Sequence, residues 1–226
     1  MNLIALESST RHLSVALWRD GELTERSAEI PNGGSDRLLP WLVELLAQAG
    51  LPLSDLDGVA FGAGPGGFTG LRLSCGLAQG LAVGLDLPVI AVATLEALAL
   101  ESGEEKVVAC LDARMNEVYC AAYVVRGDAL ETVMAPLCAS PAALAAPAGA
   151  GWLGCGDGFS AYPELLRGAL AGVRAGIRPT AAAVARLAAP RFAAGAGVDA
   201  ALAAPLYVRD KVALTTAERL ARGGLK

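Results

Sequence analysis

Apolar positions in the first thirty residues recur with the periods of strands. Asn2–Leu6 is a nearly continuous apolar run, and Leu13, Val15 and Leu17 alternate with smaller or polar residues. Asp20-Gly21 is a hairpin signal ahead of a more polar third strand, Glu22–Glu29. The period then changes: Leu38, Leu39, Leu42, Leu45, Leu46 and Ala49 recur at helical spacing, and Gly50 closes that helix. A strand over 57–62, a helix over 69–85, a strand over 88–92 and a short helix from about Leu95 follow. The chain turns polar at Ser102-Gly-Glu-Glu-Lys106, and strands restart at Val107–Leu111 and Val118–Val125. Beyond them, the Ala/Pro-rich stretch 139–150 reads as loop or short helix, and 179–195 as an alanine-rich helix.

A strand meander followed by alternating helices and strands is the order of a ribonuclease-H-like α/β lobe, here over 1–103. The restart after the polar segment predicts a second, related lobe of reduced topology over 106–226, its final helix free to pack back on the first.

With 54% hydrophobic and 18% charged residues, the chain has the make-up of a folded protein rather than a disordered one. A net charge of −5 argues against autonomous nucleic-acid binding, which needs a basic face. Only the tail, 209–226, is locally basic, with a net +3 that reads as a solvated, frayed end. Five cysteines, odd in number and without C-x-x-C spacing, fit buried thiols in a reducing compartment better than disulfides or zinc ligands. No basic-then-apolar leader opens the sequence, and the apolar run 73–85 is too short to span a bilayer. The expectation is a soluble, cytoplasmic protein.

The densest sequence signal lies at 59–72. An apolar strand, Val59–Phe61, runs into Gly62, Gly64, Pro65, Gly66 and Gly67, and a helix starts near Thr69. So many glycines specify a tight turn free of side chains, serving either close packing or the backbone cradling of an anion. Gly62, Gly64 and Gly67 match G-x-G-x-x-G, but no Gly-Lys-Ser/Thr follows as in a P-loop. Nor does the strand ending near Ala91–Thr94 carry the acidic residue that a dinucleotide site needs. Within the following helix, Gly76, Gly80 and Gly84 fall four apart beside Leu73, Leu77 and Leu81. Three interior glycines cost on the order of 3 kcal/mol in helix propensity, which either close packing on the protein's own sheet or contact with a partner would offset. His12, the single histidine, lies on a predicted strand without a nucleophile motif. Asp112, Arg114, Asn116 and Glu117 form either a self-paired turn or a phosphate or ribose contact.

Four segments carry a family resemblance. They are Leu3-Ile-Ala-Leu-Glu-Ser-Ser-Thr10, Gly64-Pro-Gly-Gly-Phe-Thr-Gly-Leu-Arg72 leading into Gly76-Leu-Ala-Gln-Gly-Leu-Ala82, Leu111-Asp-Ala-Arg-Met-Asn-Glu-Val-Tyr119, and Pro205-Leu-Tyr-Val-Arg-Asp-Lys-Val212. Their wording and order resemble the bacterial TsaB (YeaZ) family, whose members serve the synthesis of threonylcarbamoyladenosine in tRNA. The resemblance implies two ribonuclease-H-like lobes of the actin-like ATPase superfamily. It implies a non-catalytic subunit that binds and activates the catalytic paralogue TsaD, with the ATPase TsaE joining, and that forms a homodimer alone. Contact with tRNA would come only through the complex. The implied surface for partner or second copy holds Leu38, Leu42, Leu45, Leu73, Gly76, Leu77, Gly80 and Gly84. A vestigial nucleotide site would fall at Glu7, Ser8, Ser9, Thr10 and Asp112, with Glu7 able to reach a hydrated Mg²⁺. Because Glu7 stands where this fold usually has aspartate, ATP binding is expected to be weak or absent, with no cofactor required. Catalytic relatives carry a metal-binding histidine pair on an early helix, whereas Gly33-Gly34-Ser35-Asp36-Arg37 has none. The alternatives are a stand-alone sugar-kinase-like ATPase of this fold or a glycopeptidase-like hydrolase.

Overall fold

The computed structural model describes residues 1–30 and 34–209. Its first sheet combines β1 (Asn2–Glu7), β2 (His12–Arg19), β3 (Glu22–Glu29), β4 (Gly58–Gly64) and β5 (Val89–Ala93) in the order β3-β2-β1-β4-β5. The meander pairs antiparallel, Glu7 opposite Ser14, and β4 and β5 add in parallel, Ala5 opposite Ala60 and Ala60 opposite Ile90. Helices α1 (Leu38–Ala49) and α2 (Phe68–Leu85) supply the crossovers. Gly50, left-handed at φ 60°, ends α1 as its position predicts.

Side-chain size sorts the two faces of this sheet. Ile4, Leu6, Leu13, Val15, Leu17, Val59 and Phe61 form the bulky face, on which α1 and α2 pack. On the three central strands Ala5, Ala16 and Ala60 form the other, with Ile90 and Val92 of β5 at its edge, and the alanine-rich α5 (Ala181–Ala193) settles there through Ala181, Ala185 and Ala188. Small side chains on both partners let helix and sheet approach closely. Thr180 caps α5, its hydroxyl accepting from the Ala183 N–H at 3.0 Å. The chain beyond residue 106 therefore returns α5 to the first sheet.

A second sheet repeats the plan with β6 (Lys106–Arg114), β7 (Glu117–Arg126), β8 (Ala129–Ala139), β9 (Leu153–Cys155) and β10 (Gly172–Arg174), in the order β10-β9-β6-β7-β8. Again a three-stranded antiparallel meander is extended in parallel from its first strand. Only the short α4 (Gly158–Ala161) lies between β9 and β10, and 140–150 is loop with one 3₁₀ turn, Pro141–Ala143. Three of these strands escape the hydrophobic pattern. β8 is an edge strand with most side chains partly or fully exposed, and β9 and β10 span three residues each. The short α3 (Thr94–Glu101) buries Leu95, Ala97, Leu98, Ala99 and Leu100 between the two sheets. Among the described residues no helix is long and apolar enough to cross a membrane.

Candidate functional site

Where the lobes meet, the turn 8–12, the loop 65–70, the end of β6, Tyr119, Asp157, Arg178 and residues 206–209 enclose a cleft of about 920 Å³. The glycine loop forms one wall, and its glycines are spent on packing. A Cβ on Gly70 would stand 1.8 Å from the Ser8 carbonyl oxygen, and one on Gly66 2.5 Å from that of Ser9. Gly67 N–H donates to Ser9 O at 2.7 Å, Gly64 N–H to Thr94 Oγ1 at 3.1 Å, and Ser8 Oγ to Gly70 O at 2.8 Å. The bare backbone thus seats the start of α2 on the β1–β2 turn. An anion cradle or dinucleotide fingerprint would need those N–H groups and that space free.

Glu7 lies under this contact, fully buried, and is absent from the cleft wall. Its Oε1 accepts from the Ser9 N–H at 2.6 Å, Oε2 accepts from the Thr94 hydroxyl at 3.5 Å, and Gly62 leaves room for the carboxyl. Burial raises its pKa against the opposing pull of these hydrogen bonds. The expected reach of Glu7 to a hydrated metal is therefore corrected: the side chain points into the lobe and knits the turn together. Ser8 and Ser9 are buried as well, while Thr10 is half-buried and its Oγ1 accepts from the His12 N–H at 3.1 Å. Across the cleft, Asp112 pairs with Arg114 at 2.9 Å and accepts the Arg114 N–H at 2.8 Å, so these two form a self-paired turn, while Glu117 pairs outside the cluster with Arg209. His12 lines the cleft, its imidazole pKa lowered by burial and by nearby Arg178. Among the described residues, no group of three or more His, Cys, Asp or Glu side chains gathers where a metal ion could sit.

The second candidate surface is the outer face of α1 and α2. Here the structure corrects part of the expected set. Leu38, Leu42 and Leu45 are at most 1% exposed and form core against the sheet, so they present nothing to a partner. The large apolar side chains that α1 turns outward are Leu39 and Val43, 48% and 53% exposed. On α2, Leu73 and Leu77 are partly buried at the rim of the core, whereas Gly76, Gly80 and Gly84 all face outward. Among the described residues, a Cβ at any of these three glycines would meet nothing within 4 Å. Packing on the protein's own sheet therefore does not explain the stripe. Val83, 73% exposed, and Phe68 extend this open surface. Leu39, Val43, Phe68 and Val83 escape sequence reasoning because α1 and α2 are apolar on more than one side, which blurs inward and outward faces. The i, i+4 spacing of Leu39, which the sequence groups with the helical stripe, and Val43 is the signal that could have found two of them.

Of the basic tail, only Arg209 falls within the described residues. It is no frayed end: its side chain is 13% exposed and pairs with Glu117 at 2.6 Å.

Residues 33–156 match the family model described as TsaD: tRNA N6-adenosine threonylcarbamoyltransferase. The chain is 35% identical to the tRNA threonylcarbamoyladenosine biosynthesis protein TsaB of Escherichia coli, over 94% of this chain and 96% of that protein. It is 36% identical to TsaB of Haemophilus influenzae, over 94% and 95%. Among solved structures, YeaZ from Pseudomonas aeruginosa matches with a TM-score of 0.86 at 39% identity, covering 91% of this chain and 99% of that one. Agreement of sequence and of fold along nearly the whole length places this chain in the TsaB (YeaZ) family of tRNA threonylcarbamoyladenosine biosynthesis proteins.

Proposed function

We propose that this chain is a non-catalytic subunit in the cytoplasmic synthesis of threonylcarbamoyladenosine in tRNA, and that it docks the catalytic paralogue TsaD through the outer face of α2. The observation that carries this reading is the glycine stripe. Gly76, Gly80 and Gly84 weaken a surface helix, yet among the described residues nothing stands within 4 Å of where their Cβ atoms would be, beside the exposed Val83 and Phe68. Such a face suits close approach of a helix from another molecule. In isolation a second copy of this chain takes the same face, so homodimer and TsaD complex exclude each other. TsaE joins the complex, and tRNA is met only through it, in keeping with a net charge of −5.

The cleft supports the accessory role. Its turn holds Glu7 inward and its glycine loop is filled by backbone, so ATP contact is weak or absent and no cofactor is required. The deciding experiment is co-purification with TsaD from the same cell, with tRNA modification assayed with and without this chain. Modification should depend on it while the purified chain alone turns nothing over. Full modification in its absence would overturn the reading.

A further inference from the structure

Residues 203–209 cross from one lobe to the other along the α2 side of the cleft. On the first lobe, Ala203 O accepts from Gln79 Nε2 at 2.9 Å, and Leu206 N–H donates to Ala63 O at 2.7 Å. Tyr207 receives a hydrogen bond from Arg72 Nε at 3.2 Å, its ring 6.1 Å from that of Phe68. Two residues later the chain is fixed to the second lobe. The Arg209 guanidinium donates to Ala113 O at 2.9 Å and to Glu117 Oε2 at 2.6 Å, and lies 5.7 Å from the centre of the Tyr119 ring. At 13% side-chain exposure, against 72% for Arg114 on the same hairpin, this is an anchored group rather than a surface pair.

The hairpin that Arg209 grips has an uncommon backbone. Arg114, Met115 and Asn116 are consecutive non-glycine residues at φ 61°, 56° and 60°, in the left-handed region. Such conformations persist where the surroundings over-determine them. Arg209 brackets these three residues, bonded to Ala113 on one side and Glu117 on the other. Among the described residues α3, α5 and the Arg186–Asp128 pair at 2.6 Å also tie the lobes, on the small-residue face of the first sheet. The strap lies on the opposite, bulky face, where Ala203 joins the core.

We propose that residues 203–209 form a latch: Leu206 and Tyr207 hold the β4–α2 region, Arg209 holds the β6–β7 hairpin, and together they fix the cleft width and the strained hairpin. Because Tyr207 is half exposed and rests on Phe68 and Arg72 at the start of α2, a force that lifts the strap there also frees the hairpin. The latch uses only contacts within this chain and stands whether or not the α2 face binds TsaD.

Hydrogen exchange of the full chain, read by mass spectrometry, tests it in Arg209→Ala, Arg209→Lys and the control Arg186→Ala. Arg209→Ala should speed exchange about tenfold or more in 113–118 and also in 204–208, although the Leu206 amide is bonded to the other lobe, because one anchored end protects the other. Arg209 Nη2 makes both bonds, and lysine keeps the charge but loses the planar group that holds this nitrogen in place, so an intermediate effect is expected. Arg186→Ala should leave both segments unchanged. Faster exchange confined to 113–118, with 204–208 as slow as before, would overturn the latch and leave Arg209 a local brace. Should Arg209→Ala not fold, Arg209→Lys and Glu117→Gln decide by the same two segments.

Discussion

Replacing Gly80 with leucine separates folding from docking. In the free chain the new side chain starts from a Cβ with nothing within 4 Å and projects into solvent. Relief of the glycine penalty should then raise stability by about 0.5–1 kcal/mol. For a chain of this length that corresponds to roughly 1–4 °C in Tm. In a close helix crossing the same branched side chain overpacks, at a cost of about 1–3 kcal/mol. Affinity for a partner should therefore fall about 5- to 150-fold. Differential scanning calorimetry reads the first effect; sedimentation of the isolated chain and titration with TsaD read the second. Self-association and TsaD binding should weaken together, and unlabelled wild-type chain should compete with TsaD for labelled chain. A lower Tm with unchanged affinity per folded molecule would refute the reasoning, since the stripe would then pack within the chain. Unchanged affinity at a higher Tm would move the docking face elsewhere.

Gly70→Ala should destabilise by about 1–3 kcal/mol or more, because its Cβ would collide with the Ser8 carbonyl at 1.8 Å, whereas Gly76→Ala, with open space, should stabilise by about 0.8–1.0 kcal/mol; urea unfolding compares the two. Glu7 has its pKa raised by burial above an ordinary value near 4.5, so its favourable contribution is complete below that pH and is lost as pH rises through the folded-state pKa. Unfolding free energy measured against pH should therefore show Glu7→Gln gaining on the wild type from about pH 4.5 upward, and a difference that does not vary with pH would contradict the buried, proton-holding carboxyl. Of the five cysteines only Cys138 is not buried, so a thiol reagent should label one site quickly in the native protein and all five after unfolding; fast native labelling of Cys110 or Cys120 would contradict the buried second sheet.

The period of the apolar residues was enough to find most of the first lobe, because β1, β2 and β4 have a bulky inward face and α1 and α2 a leucine stripe, while the polar β3 was marked by the Asp20-Gly21 turn. Leu13, Val15 and Leu17 mark β2, and Gly50 marks the end of α1, by local steric rules that need no tertiary information. The duplication was legible only as a restart of strands at Val107. β8, β9 and β10 gave no period, since an exposed edge strand and two three-residue strands bury too little to leave one. At the candidate sites the sequence supplied residue types and spacing but not direction. Glu7 in a turn with two serines reads like a phosphate hairpin, and only the packing of Gly62 and Thr94 around its carboxyl turns it inward. Leu38, Leu42 and Leu45 share a stripe with the expected docking set, yet that stripe is the one the sheet claims. The glycines show the same division. Seven positions from Gly62 to Gly80 look alike in sequence, all without a side chain. At Gly62, Gly66 and Gly70 another part of the chain occupies the space a Cβ would need; at Gly76 and Gly80 none of the described residues does. A residue's own chemistry fixes what conformations and contacts it permits, but whether a neighbour fills that permission depends on segments distant in sequence, and only the folded chain brings those together.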